Sequence, residues 1–454
     1  MASVSPLNFL KDKTIFVTGA TGFLAKVFVE KILRTQPNVK KLYLLVRAPD
    51  PDFAMKRILN EFVETELFRV VRDEVGANLK SFISEKIVAV AGDVSDTNLG
   101  VKDSKLMEEM WTEIDLLLNF AAITNFDERY DYAYKVNTMG AFNVLNFAKN
   151  CIKINMLLHV STAYVCGEAS GLIPENPINI GEALKNTRKL DLTIEKELIQ
   201  EKLNQLQAKG AGQNELASTM TDLGINRATL YGWPNTYVFT KAMGEMMLGE
   251  YRETIPLLII RPTMITSTFA EPFPGWIEGL RGIDGPIAGY GKGKLKFLLA
   301  NPMTIVDMIP ADMVVNSIIM AMAANTQQHS RIIYHIGSSR TNPIKMTDIH
   351  KFARQYFIEH PLKNKDGKPI KVRKCRFFKT PASFHAWIGI RYVMPLKVCI
   401  PNTYFDVTNS QNLQLTMEEN AQEANAFNFD PKGIDWEDYI VNTHIAGLVK
   451  YVLK

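Results

Sequence analysis

From Thr14 to Thr263 the chain alternates short apolar runs with longer stretches whose apolar residues recur every three or four positions. The runs are "TIFV" (14–17), "KLYLLVR" (41–47), "KIVAVAGDV" (86–94), "DLLLNFAA" (115–122), "MLLHVSTAYV" (156–165) and "PLLIIRPT" (256–263). Each is apolar on both faces, and helix-length segments separate them, which predicts a parallel sheet covered by helices on both sides. The first run breaks at Gly19, and apolar residues resume at Leu24, Val27, Phe28, Ile32 and Leu33. That is a strand passing into an amphipathic helix with glycines at the junction. The fold class predicted is α/β, a doubly wound parallel Rossmann-like sheet with a smaller α-rich C-terminal domain. Boundaries are expected at 9–345, with a helical insert at about 180–228, and at 346–454.

Ligands of such sheets bind at the carboxyl ends of the strands, and the motifs of this chain fall there. "TGATGFLA" contains the pattern G-x-x-G-x-x-A at Gly19, Gly22 and Ala25. Gly19 allows the tight turn, Gly22 lets backbone N–H groups approach a pyrophosphate, and Ala25 allows close packing of helix on strand. The second strand ends at Arg47, where an acidic residue would bind a ribose 2′-hydroxyl. An arginine accommodates a 2′-phosphate instead, so NADPH is expected over NADH; the alternative is a surface arginine capping the strand. Asp93, in "AGDV", is placed either to meet the adenine amino group or simply to form a turn.

Composition narrows the field. With 454 residues, 46% hydrophobic and 22% charged, two domains of an ordinary globular protein are expected. A net charge of +4 argues against nucleic acid as a partner. Four cysteines without CxxC pairing speak against a disulfide framework, and seven histidines without an HxxxH pair lead to an expectation of no catalytic metal. No signal peptide and no window of ~18 apolar residues is visible. Residues 360–379 hold eight Lys/Arg against one Asp, either a solvated loop or a surface for anionic head groups.

The chemistry turns on "TYVFTKAMGE" (236–245). Tyr237 and Lys241 share one helical face. A Tyr with Lys four residues on also occurs at Tyr290–Lys294, where glycines argue for a loop and against a site. Around Tyr237, however, stand "HVSTAYV", with Ser161 and Thr162, and the "VNTMGAFNVL" helix holding Asn137. Together these resemble the extended short-chain dehydrogenase/reductase superfamily. The resemblance implies that Tyr237 exchanges the proton, Lys241 lowers the tyrosine pKa and holds the nicotinamide ribose, Thr162 (with Ser161 as fallback) binds the substrate oxygen, and Asn137 anchors a water relay. It implies cofactor contacts at Thr18, Gly19, Thr21, Gly22, Phe23, Leu24, Arg47, Asp93, Val94, Ala121, Lys241, Pro262 and Thr263. His159 reads as a core histidine, and Cys166 as packing.

"NFAAITNFDERY", "YVFTKAMGE", "IIRPTMITSTFAEPFPGW" and the closing "IDWEDYIVNTHIAGLVKYVLK" narrow the resemblance to alcohol-forming fatty acyl-coenzyme A reductases of the plant branch, from about Phe9 to Lys454. This implies two NADPH-dependent reductions of a long-chain acyl-coenzyme A, through an aldehyde to a primary alcohol, in wax and lipid biosynthesis, without an acylated cysteine. Rival readings are a nucleotide-sugar or sterol reductase of the same superfamily, and an NADPH-binding protein without turnover. The passage from Val398 to Tyr404 is shorter than family members carry. Between Thr162 and Tyr237, an insert with the charged helix "LDLTIEKELIQEKLNQLQAKG" serves either as a lid or acyl-binding wall or as surface decoration. A cytosolic protein held peripherally at the endoplasmic reticulum membrane is expected, and the oligomeric state is left open.

Overall fold

The computed structural model describes residues 5–185, 189–326, 330–378, 403–416 and 421–453. Its centre is a sheet of seven strands: β1 (Thr14–Thr18), β2 (Lys41–Val46), β3 (Ile87–Ala91), β4 (Leu116–Asn119), β5 (Met156–Val160), β6 (Leu257–Pro262) and β7 (Arg331–Ile336). The spatial order is β7-β6-β5-β4-β1-β2-β3, and every pairing is parallel. The chain therefore runs outward in one direction from β1 through β3 and then in the other from β4. The reversal leaves a crevice between the carboxyl ends of β1 and β4.

Alternate residues of each strand bury into different cores, as the pleat requires. Ile15, Val17, Leu116, Leu118 and Leu158 face one core, which includes the helices Phe23–Thr35 and Ala311–Ala324. Phe16, Leu117, Leu157 and Ile259 face the other, with the helix Gly140–Asn150. Six of the strands coincide with the apolar runs of the sequence. The seventh, "RIIYHI", was not among them: its ends carry Arg331 and His335, and as an edge strand it lacks an unbroken apolar signal.

The predicted insert holds two helices, Leu192–Ala208 and Gln213–Tyr231. Asp191 caps the first by accepting from Thr193 N at 2.8 Å. Its Glu195 is fully buried and takes the Arg227 guanidinium and the hydroxyls of Tyr130 (2.7 Å) and Tyr231 (3.1 Å). Tyr130 and Tyr231 in turn stack on Phe239 of the helix Thr236–Tyr251. The insert thus braces the helix that carries Tyr237.

The C-terminal stretches Tyr439–Ile445 and Ala446–Tyr451 lie against residues 266–284. A Cβ on Gly447 would overlap the carbonyl of Gly275, and one on Gly275, whose φ is +82°, would stand 2.8 Å from the Thr443 carbonyl. Only two glycines permit so close an approach. The shortened passage at Val398 lies outside the described residues, while Tyr404 falls in a short strand, Thr403–Phe405, paired with Gly171–Ile173. Among the described residues no helix is long and apolar enough to cross a membrane.

Candidate active site

The glycine turn sits in the crevice. Gly19 has φ +65°, and a Cβ there would lie 2.7 Å from Ala121 Cα and N, so the loop after β1 is seated directly on the loop after β4. Gly22 caps the helix Phe23–Thr35 with extended backbone, its N–H donating to Gly19 O at 2.8 Å. The result is a backbone cradle at a helix N-terminus, the arrangement that receives a pyrophosphate. Thr21 and Gly22 reach the surface, whereas Phe23 and Leu24 are buried. Phe23 stacks on Trp276 (5.2 Å, 17° between planes), and the Arg281 guanidinium lies 5.1 Å over its ring.

Around the cradle the predicted positions divide. Arg47 is exposed at the end of β2 and donates to the Tyr132 hydroxyl at 2.9 Å. Asp93 accepts from Ser95 N at 2.8 Å, which is the turn-forming alternative for that residue. The side chain of Val94 is buried against Gly140, and the hydroxyl of Thr18 is buried and donates to Asn119 Oδ1 at 2.6 Å, so neither side chain lines an open groove. Pro262 ends β6, and Thr263 N donates to Ile336 O at 2.9 Å, leaving the buried Thr263 Oγ1 without a partner. Ser161 Oγ is likewise buried and unpartnered.

Tyr237 opens the helix Thr236–Tyr251, whose first turn is capped by Asn235 accepting from Val238 N at 3.1 Å. Val238, Phe239, Ala242, Met243 and Met246 bury the helix, which leaves Tyr237 half-exposed and stacked on the ring of Phe126 at 5.8 Å. Burial pushes the Tyr237 hydroxyl up to about 12, while a hydrogen bond with Thr162 and the charge of Arg281 pull it down. Thr162 is set for this by its own backbone turn, its Oγ1 accepting from Tyr164 N at 3.3 Å. Tyr237 and Thr162, 75 residues apart in the chain, thus meet at the carboxyl end of β5.

Lys241 is expected to lower the Tyr237 pKa and to hold the nicotinamide ribose. In the fold its Nζ donates to Val160 O at 2.8 Å and lies 3.1 Å from His159 Nε2. Desolvation lowers Lys241 to about 8, with Glu245 opposing, and the cation within electrostatic reach of Tyr237 is Arg281. His159 is fully buried, as expected of a core histidine, and is hydrogen-bonded between Asn119 and that lysine. Asn137 has its amide fully engaged, Oδ1 accepting from Ile123 N at 2.8 Å and Nδ2 donating to Ile123 O and Thr240 Oγ1, both at 3.0 Å. It ties the β4 loop to the Tyr237 helix.

The other Tyr–Lys pair is not a site. Tyr290 ends a short helix, Asp284–Gly291, where a loop was expected, and its hydroxyl donates to Arg373 O at 2.9 Å. Arg281 escaped the sequence reading because an arginine between glycines in "GLRGID" carries no signal of its own; only the folded chain places it over Phe23. Among the described residues no cluster of three or more metal-ligating side chains occurs.

A nucleotide cradle at the switch point of a doubly wound sheet, with a tyrosine–threonine hydroxyl pair beside it, defines a nicotinamide-dependent reductase of the extended short-chain type. Comparison with known proteins sharpens this class. A family model described as Male sterility protein matches residues 17–318, and a second of the same description matches 399–454. Fatty acyl-CoA reductase 1 of Arabidopsis thaliana is 49% identical over 487 residues, and the alcohol-forming fatty acyl-CoA reductase of Simmondsia chinensis is 47% identical over 488, each alignment covering 99% of both chains. The chain belongs to this male-sterility family of fatty acyl-CoA reductases. In fold it is similar to the terminal R domain of the myxalamid PKS-NRPS pathway (TM-score 0.61, 17% identity, 97% of this chain and 91% of the other).

Proposed function

We propose that this protein reduces long-chain acyl-coenzyme A to the primary alcohol with NADPH, and that Tyr237, Thr162, Lys241 and Asn137 form its working site. The observation that carries the assignment of residues is the meeting of the Tyr237 and Thr162 hydroxyls beside the Gly19–Gly22 cradle. The cradle fits a dinucleotide: Gly19 admits no side chain, and the orphan hydroxyl of Ser161 lies at the end of β5. Gly19, Thr21, Gly22 and Ala121 would hold the pyrophosphate side, and exposed Arg47 a 2′-phosphate. When bound, the nicotinamide supplies hydride, twice for each thioester taken to an alcohol.

The chain's own residues do the rest. Thr162 and Tyr237 donate hydrogen bonds to the substrate oxygen where negative charge develops. Tyr237, protonated throughout the neutral range because burial raises it, hands its proton to that oxygen. Arg281 favours the phenolate left behind. After the first reduction the thiol leaves, and the aldehyde is reduced between the same two hydroxyls. Phe126, 54% exposed and stacked on Tyr237, and Leu280, 51% exposed beside Arg281, offer apolar surface for an acyl chain. The exposed basic residues of 360–378 support peripheral attachment at the cytosolic face of the endoplasmic reticulum membrane.

The test is product identification after incubating the purified protein with NADPH and hexadecanoyl- or octadecanoyl-coenzyme A. Alcohol from the wild type and none from Tyr237→Phe supports the reading. Aldehyde as the end product removes the second reduction, and alcohol from the Tyr237→Phe protein removes the assigned acid.

A further inference from the structure

Three adjacent strands end in polar residues that stand in one row. Thr18 of β1 is in register with Asn119 of β4, and Asn119 with His159 of β5. The row lies on the sheet face of Phe16, Leu117 and Leu157, each two residues earlier on its strand, amid an apolar core. All three side chains are at most 2% exposed. Polar groups buried in such a place destabilise the fold unless they are paired, and here they pair with one another. Thr18 Oγ1 donates to Asn119 Oδ1 at 2.6 Å, Asn119 Nδ2 is 3.0 Å from His159 Nδ1, and His159 Nε2 is 3.1 Å from Lys241 Nζ. A continuous line of hydrogen bonds runs from the strand that feeds the glycine turn to the site lysine.

We propose that His159 is the positioning residue of Lys241, and that the row Thr18–Asn119–His159 governs whether that lysine carries its proton. The proposal rests on the assignment of Lys241 to the working site.

The argument follows from donor and acceptor counts. A neutral imidazole has one N–H and one bare nitrogen. If Lys241 is an ammonium it donates to Nε2, so Nδ1 carries the hydrogen and requires an acceptor. Asn119 supplies one only by presenting Oδ1, and its Nδ2 then donates to the Thr18 hydroxyl. If Lys241 is a neutral amine the line can reverse: His159 donates from Nε2, Asn119 donates from Nδ2 to Nδ1, and Thr18 donates to Asn119 Oδ1. The ammonium is served only by the first arrangement, whereas the neutral amine, with two N–H groups and a lone pair, fits either; the two differ by a tautomer shift at His159 and a half-turn of one amide. The contact of Thr18 Oγ1 with Asn119 Oδ1 belongs to the second arrangement. Burial opposes a charge on both members of the pair: it keeps His159 well below its ordinary range and lowers Lys241 to about 8. The other charged groups around Lys241 are Glu245 on its own helix and Arg261 of β6, paired with each other at 2.6 Å. They leave the row as the element able to favour one state.

The experiment compares the alkaline limb of the kcat–pH profile in His159→Leu, His159→Gln and Asn119→Asp proteins, with thermal melts and with Tyr237→Phe and Lys241→Met alongside. His159→Leu removes the acceptor of the ammonium, so the limb is expected to move down by about one pH unit, and kcat to fall about twofold at pH 7 and about tenfold above pH 9, with KM for acyl-coenzyme A little changed. His159→Gln, which restores an acceptor, should return the limb toward wild type. Asn119→Asp, which offers a permanent acceptor and a negative charge to His159, should move it up. Opposite displacements from two neighbouring positions do not arise from loss of packing. The proposal fails if the limb stays in place in both His159→Leu and Asn119→Asp, or if all variants shift together with their melting temperatures. Alcohol formation surviving in both Tyr237→Phe and Lys241→Met would instead overturn the site assignment itself.

Discussion

His444 Nε2 stands 3.0 Å from Asp284 Oδ1, and both residues are fully buried. The histidine comes from the C-terminal stretch and the aspartate from the segment that carries Arg281. Asp284 Oδ2 accepts from Arg281 N at 2.9 Å, while His444 Nδ1 lies 3.1 Å from Ser267 Oγ. Tyr439 reinforces the seam, donating to Ser267 O at 2.8 Å. Removing the histidine leaves a buried carboxylate without its partner. His444→Leu is expected to lose roughly 3 kcal/mol of stability, measured by urea denaturation, and to lower activity in the surviving folded protein.

Arg281 itself tests the electrostatics of the acid. Its guanidinium is held over Phe23 and by Nε donating to Glu278 O at 3.2 Å. Arg281→Gln keeps polarity but removes the charge that pulls Tyr237 down. A fall in kcat on the order of tenfold or more is expected, with partial recovery in Arg281→Lys. Unchanged kcat in Arg281→Gln would deny the guanidinium this part.

Phe126 is exposed for so large a ring, and its stack on Tyr237 puts it at the mouth of the site. Phe126→Ser should raise KM for hexadecanoyl-coenzyme A about fivefold, in line with the ~1 kcal/mol of an aromatic contact, and change KM for a short acyl chain less. Equal effects at both lengths would point to disturbance of Tyr237 rather than to chain binding.

Lys241 sets an expectation for pH. Its folded value, about 8, lies below the ordinary 10.5, so the unfolded chain binds more protons between these values. Stability contributed at this site therefore rises with pH from 8 to 10.5, the ammonium being the form that burial penalises. Activity moves the other way if the ammonium is the working form: kcat should decline above about pH 8 in the wild type. Lys241→Met should lack both trends, read by melting curves and by initial rates across that range.

Much of this was legible in the residues because the signals were local. Strand runs such as "TIFV" and the glycine turn at Gly19 are written in consecutive positions, and so is the one-turn spacing of Tyr237 and Lys241. Thr162 could be nominated because "HVSTAYV" resembles the hydroxyl-bearing motif of the superfamily. What could not be read depends on register. Thr18, Asn119 and His159 are scattered over 141 positions and become a row only when β1, β4 and β5 align. The partners of Lys241 were hidden for the same reason: a helical spacing says which face a side chain leaves from, but not which buried acceptor it finds. Arg281 depends on a contact between a loop and Phe23, and His444 on a partner 160 residues earlier.

The glycine-to-glycine contact at Gly275 and Gly447 also bears on when the protein becomes competent during synthesis. The cradle at Gly19 leaves the ribosome before Tyr237. The segment bearing Arg281 gains its backing from Tyr439, His444 and Gly447 only as those later residues emerge. A nascent chain lacking that stretch has its nucleotide cradle and its tyrosine, but an unanchored arginine. Completion of the site therefore waits for residues 439–447, and fragments ending before Tyr439 should bind nucleotide without reducing substrate.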